Sequence, residues 1–219
     1  MKTLRFILPV LMLLASCSRS GQHFDSKNGF AVLHPAAPGE SVATFAGGCF
    51  WSMQESMIEL KGVHRAVCGY TGGTAPDPTY EEVAAGQTGH AEAVQVYYNP
   101  DSISYRELAR VFFTAHNPTE LNRQGPDVGP EYRSAVYYRN ALELNVLEKI
   151  KSEMENNKSY PKEVVTSFEP FHIFYPAEVS QQNYYPKNSL DPYIRGVSRP
   201  KVMHVRQEFP RLIKTGLDR

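Results

Sequence analysis

Strands and helices alternate irregularly along this chain, a pattern that predicts an α+β fold: a two-layer sandwich of ferredoxin-like type, with helices packed on one mixed β-sheet. Three observations carry the prediction. An alternating segment at 42–46 runs through two glycines into residues with helical spacing. A second alternating segment, 90–98, is followed by a capped amphipathic helix. Neither an internal repeat nor a glycine-rich phosphate loop interrupts this order.

The bulk composition fits one domain plus a tail. The chain has 219 residues, 42% hydrophobic and 21% charged, enough for a real core. Lys+Arg and Asp+Glu both number 23, so the formal net charge is zero, which argues against a nucleic-acid partner. The three cysteines, Cys17, Cys49 and Cys68, lie far apart and form no CxxC pair. The seven histidines form no pair at metal-ligand spacing, so no metal site is expected.

Residues 1–17 read as a targeting segment. Lys2 and Arg5 precede a short apolar run, Phe6 to Ala15, that is too short to span a bilayer. The run ends Leu14-Ala15-Ser16-Cys17, which resembles the bacterial lipoprotein signal, in which cleavage precedes a lipidated cysteine. A mature protein beginning at Cys17, anchored by lipid on the periplasmic side of the cell envelope, is the expectation. Residues 18–40, rich in Ser, Gly, Asn and Pro, are expected to be a flexible tether with little fixed structure. The domain proper is assigned to 41–210, with a C-terminal tail at 211–219.

Within the domain, Val42 to Ala46 reads as the first strand, and Phe50, Met53, Met57 and Leu60 as the stripe of the helix after it. Gly62 to Tyr70 reads as a strand, ended by Thr71-Gly72-Gly73. Tyr80 to Val83 suggests one helical turn. From His90 to Tyr98, Ala91, Ala93, Gln95 and Tyr97 fall on one side and Glu92, Val94, Val96 and Tyr98 on the other. Ser104 with Glu107 forms a capping box, and Asn140 with Glu143 caps another helix. Between these helices, 116–130 is a long polar loop, a length usually kept for function. Arg133 to Arg139 is a further strand. Val164 to Phe168 and Phe171 to Phe174 are short extended pieces, and the region from Pro186 is irregular, with a last short helix at 202–209.

Cys49 falls at the strand-to-helix turn, at or near the first helical position. Unpaired backbone N–H groups there favour negative charge and are expected to ease ionisation of a thiol. Phe50 and Trp51 beside it suggest an apolar pocket. A buried, inert cysteine packed with aromatics fits the same residues. A cysteine hydrolase with His90 or His116 as base, and a binding protein without turnover, are the competing readings.

Gly48-Cys49-Phe50-Trp51, Gly69-Tyr70-Thr71-Gly72-Gly73, Gly89-His90-Ala91-Glu92, Asn122-Arg123-Gln124-Gly125 and Tyr132-Arg133-Ser134 occur in that order. Together they resemble the A-type peptide methionine sulfoxide reductases, over about Phe45 to Phe209. The resemblance implies thiol-dependent reduction of methionine S-sulfoxide, free or in proteins, through a cysteine sulfenic acid. It implies Cys49 as nucleophile and Glu92 as acid, the latter kept protonated by burial. Tyr80 and Tyr132 match tyrosines that hydrogen-bond the sulfoxide oxygen, Phe50 and Trp51 would hold its methyl group, and Asp127 matches an acid that organises the site. No bound cofactor is implied; thioredoxin or another dithiol would be the reductant. A monomer is expected.

Many members of that family resolve the sulfenic acid with a C-terminal cysteine, and this chain has no cysteine after Cys68. Either Cys68 or an external dithiol must do it, and a packed role for Cys68 is the preferred reading. Asn117, Pro126 and Glu131 stand where Asp, Asn and Gln are usual, and Ser180-Gln181 replaces a Tyr-His pair. The last change puts substrate affinity or reductant docking in question.

Overall fold

The computed structural model describes residues 22–217. The stretch expected to be a targeting segment, with Cys17, lies outside them. The chain forms β1 (Ser26–Lys27), β2 (Phe30–Ala31), β3 (Ser41–Gly47), α1 (Phe50–Ile58), β4 (Val63–Thr71), α2 (Tyr80–Ala84), β5 (Ala91–Tyr98) and α3 (Tyr105–Ala115). Then follow β6 (Arg123–Gln124), β7 (Asp127–Val128), β8 (Ser134–Tyr138), α4 (Ala141–Asn156), β9 (Ser167–Pro170), β10 (Tyr175–Pro176), α5 (Tyr184–Lys187) and α6 (Arg199–Glu208).

The main sheet has the order β10-β4-β5-β3-β8-β9, with only the β8–β9 pair parallel, so it is mixed. Its four central strands, with α1 and α3 as crossovers, follow the ferredoxin-like βαββαβ order. The alternation in β5 divides the strand as its sequence dictates. Val94, Val96 and Tyr98 enter the helix-covered core with Phe45, Met53, Met57, Leu108, Phe112 and Leu147. Ala91, Ala93 and Tyr97 enter a smaller cluster on the opposite face with Val67, Ala135, Tyr137 and Phe174. The predicted caps are present: Ser104 accepts the Glu107 N–H within a reciprocal capping box, and Asn140 accepts the Glu143 N–H.

Three expectations need correction. Residues 22–40 are not a loose tether. The β1–β2 hairpin lies on the domain, with the Ala31 N–H on the Ala177 carbonyl (3.0 Å) and the Val179 N–H on the Gly29 carbonyl (2.9 Å). Phe24 and Leu33 cover the smaller cluster. Sequence composition reports local freedom and misses such tertiary anchorage. The short late strands are also displaced, to β9 and β10, because pairing to β8 and β4 sets them and not local alternation. The last helix begins at Arg199, earlier than 202, since Pro200 is tolerated in a first helical turn. Residues 212–214 are pinned as well, by Lys61 N–H to the Leu212 carbonyl and Lys214 N–H to the Glu59 carbonyl.

The outer edge of β4 is closed partly by side chains. Beyond its pairing with β10, Gln182 donates to the Cys68 carbonyl and accepts the Cys68 N–H, both at 2.9 Å. Gln22 accepts the Ala66 N–H at 2.8 Å and donates to its carbonyl at 3.1 Å. Two side-chain amides thus stand in for a strand, which blunts an edge that would otherwise offer free ladder groups.

Candidate active site

The turn from β3 into α1 places Cys49 at the N-cap of α1. Gly48 makes the turn possible: it has φ +77°, and a Cβ there would lie 2.5 Å from Gln124 Cγ. Cys49 offers no side-chain cap of the usual kind, so the first N–H groups of the helix find other partners. The Phe50 N–H donates to Glu92 Oε2 at 2.9 Å, and the Trp51 N–H lies on the side of the Cys49 sulfur, where it favours the thiolate. The residue that follows the nucleophile is therefore tied through its backbone to the carboxyl group of β5.

Burial dominates the electrostatics. Cys49 is 4% exposed and Glu92 2%. Burial, with the Asp127 and Glu131 carboxylates adding to it, raises Glu92 to about 8 against the opposing Phe50 N–H. Glu92 is therefore a proton donor at neutral pH. Burial and then the Glu92 charge push the Cys49 thiol up to about 12, against the Tyr193 hydroxyl and the Trp51 N–H. The expected easing of ionisation at the helix start is overturned: the helix N–H is present, but loss of water outweighs it. At rest both groups are neutral.

Four half-buried tyrosines stand round the sulfur. The phenols of Tyr80, Tyr132, Tyr184 and Tyr193 are all raised, chiefly by burial and in part by the Cys49 charge. Tyr193 reaches both Cys49 and Asp127, with its hydroxyl 2.6 Å from Asp127 Oδ2. Tyr80 is fixed through its backbone N–H to Glu178 Oε1, whose other oxygen accepts from the Tyr70 hydroxyl, both at 2.8 Å. Trp51 stacks on Tyr184 at 3.8 Å, meets Tyr193 edge-on, and stacks with Tyr80 at 6.2 Å. Its indole N–H donates to Gln181 Oε1 at 3.1 Å. The Gln181 replacement thus supplies the acceptor that holds Trp51.

The structure brings together Cys49, Phe50, Trp51, Tyr80, Glu92, Asp127 and Tyr132, drawn from four stretches of the chain. Cys68 lies beneath them, fully buried, with its thiol on the Phe50 carbonyl at 3.6 Å. The histidines serve elsewhere. The two ring nitrogens of His90 meet the Gly73 N–H and the Ala75 carbonyl. Those of His116 meet the Phe112 carbonyl and Ser134, and burial lowers His116 to about 4. A cysteine hydrolase would need a base on the thiol, and both candidate rings are occupied. Sequence reasoning missed Tyr193, Tyr184 and Lys201. The only local mark of Tyr193 is the preceding Asp191-Pro192 turn, where Asp191 Oδ1 accepts the Tyr193 N–H at 2.7 Å.

Residues 41–212 match the family model described as peptide methionine sulfoxide reductase. A reductase of that description from Natronomonas pharaonis is 46% identical over 169 residues, covering 77% of this chain and 95% of the relative. One from Thermus thermophilus is 44% identical, covering 80% and 98%. Among solved structures, Mxr1 from Saccharomyces cerevisiae in reduced form aligns with a TM-score of 0.66 at 34% identity, covering 72% of this chain and 91% of that one. Methionine sulfoxide reductase A of Corynebacterium diphtheriae aligns at 0.63 with 30% identity, covering 71% and 78%.

Proposed function

Since the chain belongs to the peptide methionine sulfoxide reductase family and reduces methionine sulfoxide at the expense of thiols, we propose that Cys49 and Glu92 carry the reaction. Glu92 protonates the sulfoxide oxygen as Cys49 sulfur attacks the sulfoxide sulfur. The hydroxyl then passes from the substrate sulfur to Cys49 as the transient sulfur–sulfur bond breaks, giving methionine and a sulfenic acid, and the thiol proton restores the Glu92 carboxyl. Tyr80 and Tyr132 hydrogen-bond the oxygen as charge develops there. Phe50 and Trp51 hold the methyl group and select the S epimer. Asp127 orients Tyr193 against the sulfur. The observation that carries this reading is the Phe50 N–H bonded to Glu92 beside Cys49, with Glu92 neutral below about pH 8.

The sulfenic acid then condenses with an external thiol, releasing water, and a second thiol displaces Cys49. A thioredoxin-like dithiol fits this step, because Cys68 is sealed beneath Phe50. Lipidation of Cys17 would place this repair in the bacterial cell envelope, as a monomer held by its lipid. The test is turnover of separated S and R sulfoxides, first with dithiothreitol and then with thioredoxin. Loss of the S form alone is expected, and equal loss of both would overturn the assignment of the pocket. For the anchor, Cys17→Ser should release the protein from the membrane fraction; retention there would sink the lipoprotein reading.

A further inference from the structure

One group near the nucleophile has no role in the scheme above. Lys201, on α6, has its ammonium buried with no hydrogen-bond partner among the described residues. It lies behind the Gly47-Gly48-Cys49 turn, 3.7 Å from where a Gly48 Cβ would stand. A buried, unpartnered polar group is costly, and a chain that keeps one beside its nucleophile has a use to be sought.

The surroundings are acidic. Cys49 and Phe50 face Glu92 from α1, Tyr80 from α2, and Cys68 and Tyr70 from β4. Asp127 faces it from β7, and Glu131 and Tyr132 from the turn before β8. Glu131 is buried and leaves one oxygen unpaired. Among the charges that bear most on Glu92, that of Lys201 is the positive one. His116, the other basic group near Lys201, is neutral, with both ring nitrogens engaged.

We propose that Lys201 is a positioning residue for the reduction: its unpartnered ammonium offsets the negative charge that Glu92 acquires when its proton passes to the sulfoxide oxygen. The inference rests on the reading of Glu92 as the acid. No proton leaves Lys201 and no bond to it forms. Its effect is to stabilise a carboxylate formed in a buried site crowded with other acids, where an unpaired charge is otherwise expensive.

The test uses the full chain with Lys201→Met, Lys201→Arg and Glu92→Gln, measuring single-turnover methionine formation across neutral to alkaline pH. Lys201→Met should slow the step about tenfold and move its alkaline limb up by about one pH unit, the same energy seen in two readouts. Lys201→Arg should restore both. Added to Glu92→Gln, Lys201→Met should cost nothing more, because the two act through one charge. A limb that stays in place, or full additivity in the double variant, overturns the proposal. If Glu92→Gln alone keeps the parent rate, the reading of Glu92 as the acid has failed, and with it the premise. Melting temperature separates folding from function: Lys201→Met should melt no lower than the parent.

Discussion

On one face of the sheet, Tyr70, Cys68, Val94 and Val96 share a core with residues of five helices, and at the end of that face Glu92 meets the start of α1 beside Cys49. On the other face, Val67, Ala93, Tyr97 and Tyr137 meet stretches outside the helices: Phe24 and Leu33 from the N-terminal segment, Phe171 and Phe174 from the segment after β9. Both faces are packed, but only the first can do chemistry. A helix that starts at the sheet brings unpaired N–H groups to one point, and Cys49 and Glu92 share them. The N-terminal cover brings apolar side chains and spends its backbone groups on Ala177, Val179 and its own hairpin. A one-residue slip in β5 would exchange Glu92 for Ala91 or Ala93 and put a carboxyl under the wrong cover.

The sharpest way to break this contrast is at the catalytic end. Cys49→Ser should abolish turnover while the fold persists, and Glu92→Gln should lower kcat by about 10²–10⁴. Gln can still accept the Phe50 N–H, so the loss reports the proton and not the bond. The pH dependence has a definite sign. Glu92 is raised from about 4.5 to about 8, so kcat/KM falls as pH rises through about 8. The same shift lowers stability: the unfolded chain sheds this proton first, so the contribution is full below about 4.5 and declines up to about 8. Glu92→Gln should flatten that slope in denaturant titrations at several pH values. A slope unchanged by the substitution would mean that Glu92 is not the buried acid.

Next in size are the phenols. Tyr80→Phe and Tyr132→Phe should each lower kcat by about 10², with little change in melting temperature. A loss confined to KM would assign them to binding alone. The opposite face should behave in reverse. Phe174→Ala removes a ring that is 6% exposed and should cost about 3 kcal/mol of stability, read from denaturant midpoints. Its kcat per folded molecule should stay within about twofold of the parent, as expected for a site beyond the reach of local coupling. Activity falling in step with stability would show that the two faces are not independent.

How far each face could be read in the sequence follows from its construction. Strand alternation and helical stripes are local, so β3, α1 and β5 fall where spacing puts them, and Ser104 and Asn140 mark the starts of α3 and α4. Glu92 could be assigned to the helix side because Val94 and Val96 share its parity. The cover of the other face carries no period. Ser, Gly, Asn and Pro in 22–40 resemble a linker, and the docking shows only in partners far along the chain, such as Ala177, Val179 and Ala66. Tyr193 and Lys201 were invisible for a related reason: each lies in the C-terminal stretch and matters through what it faces across the fold. The acidity of the thiol is not legible in the sequence, because position on a helix can be read from spacing, whereas dehydration depends on the whole site.

The smallest expected effects lie along the β4 edge, where the two regions meet. Gln22 and Gln182 make the same kind of amide clasp two residues apart, on Ala66 and Cys68. Gln22→Ala should cost about 1 kcal/mol, because the Ala66 carbonyl keeps its bond from Gln54 and only the N–H is stranded. Faster hydrogen exchange at the Ala66 amide, with unchanged kinetics, is the signature to look for. Gln182→Ala strands the Cys68 N–H, while the Cys68 carbonyl keeps its bond from the Ala177 N–H, and it loosens the residue next to Gln181, which holds the indole of Trp51. That variant should raise KM and shift the emission of Trp51, the chain's single tryptophan, while Gln22→Ala leaves both alone. If Gln22→Ala also shifts the Trp51 emission, the N-terminal segment is part of the substrate shelf and the division between the two faces fails at this edge.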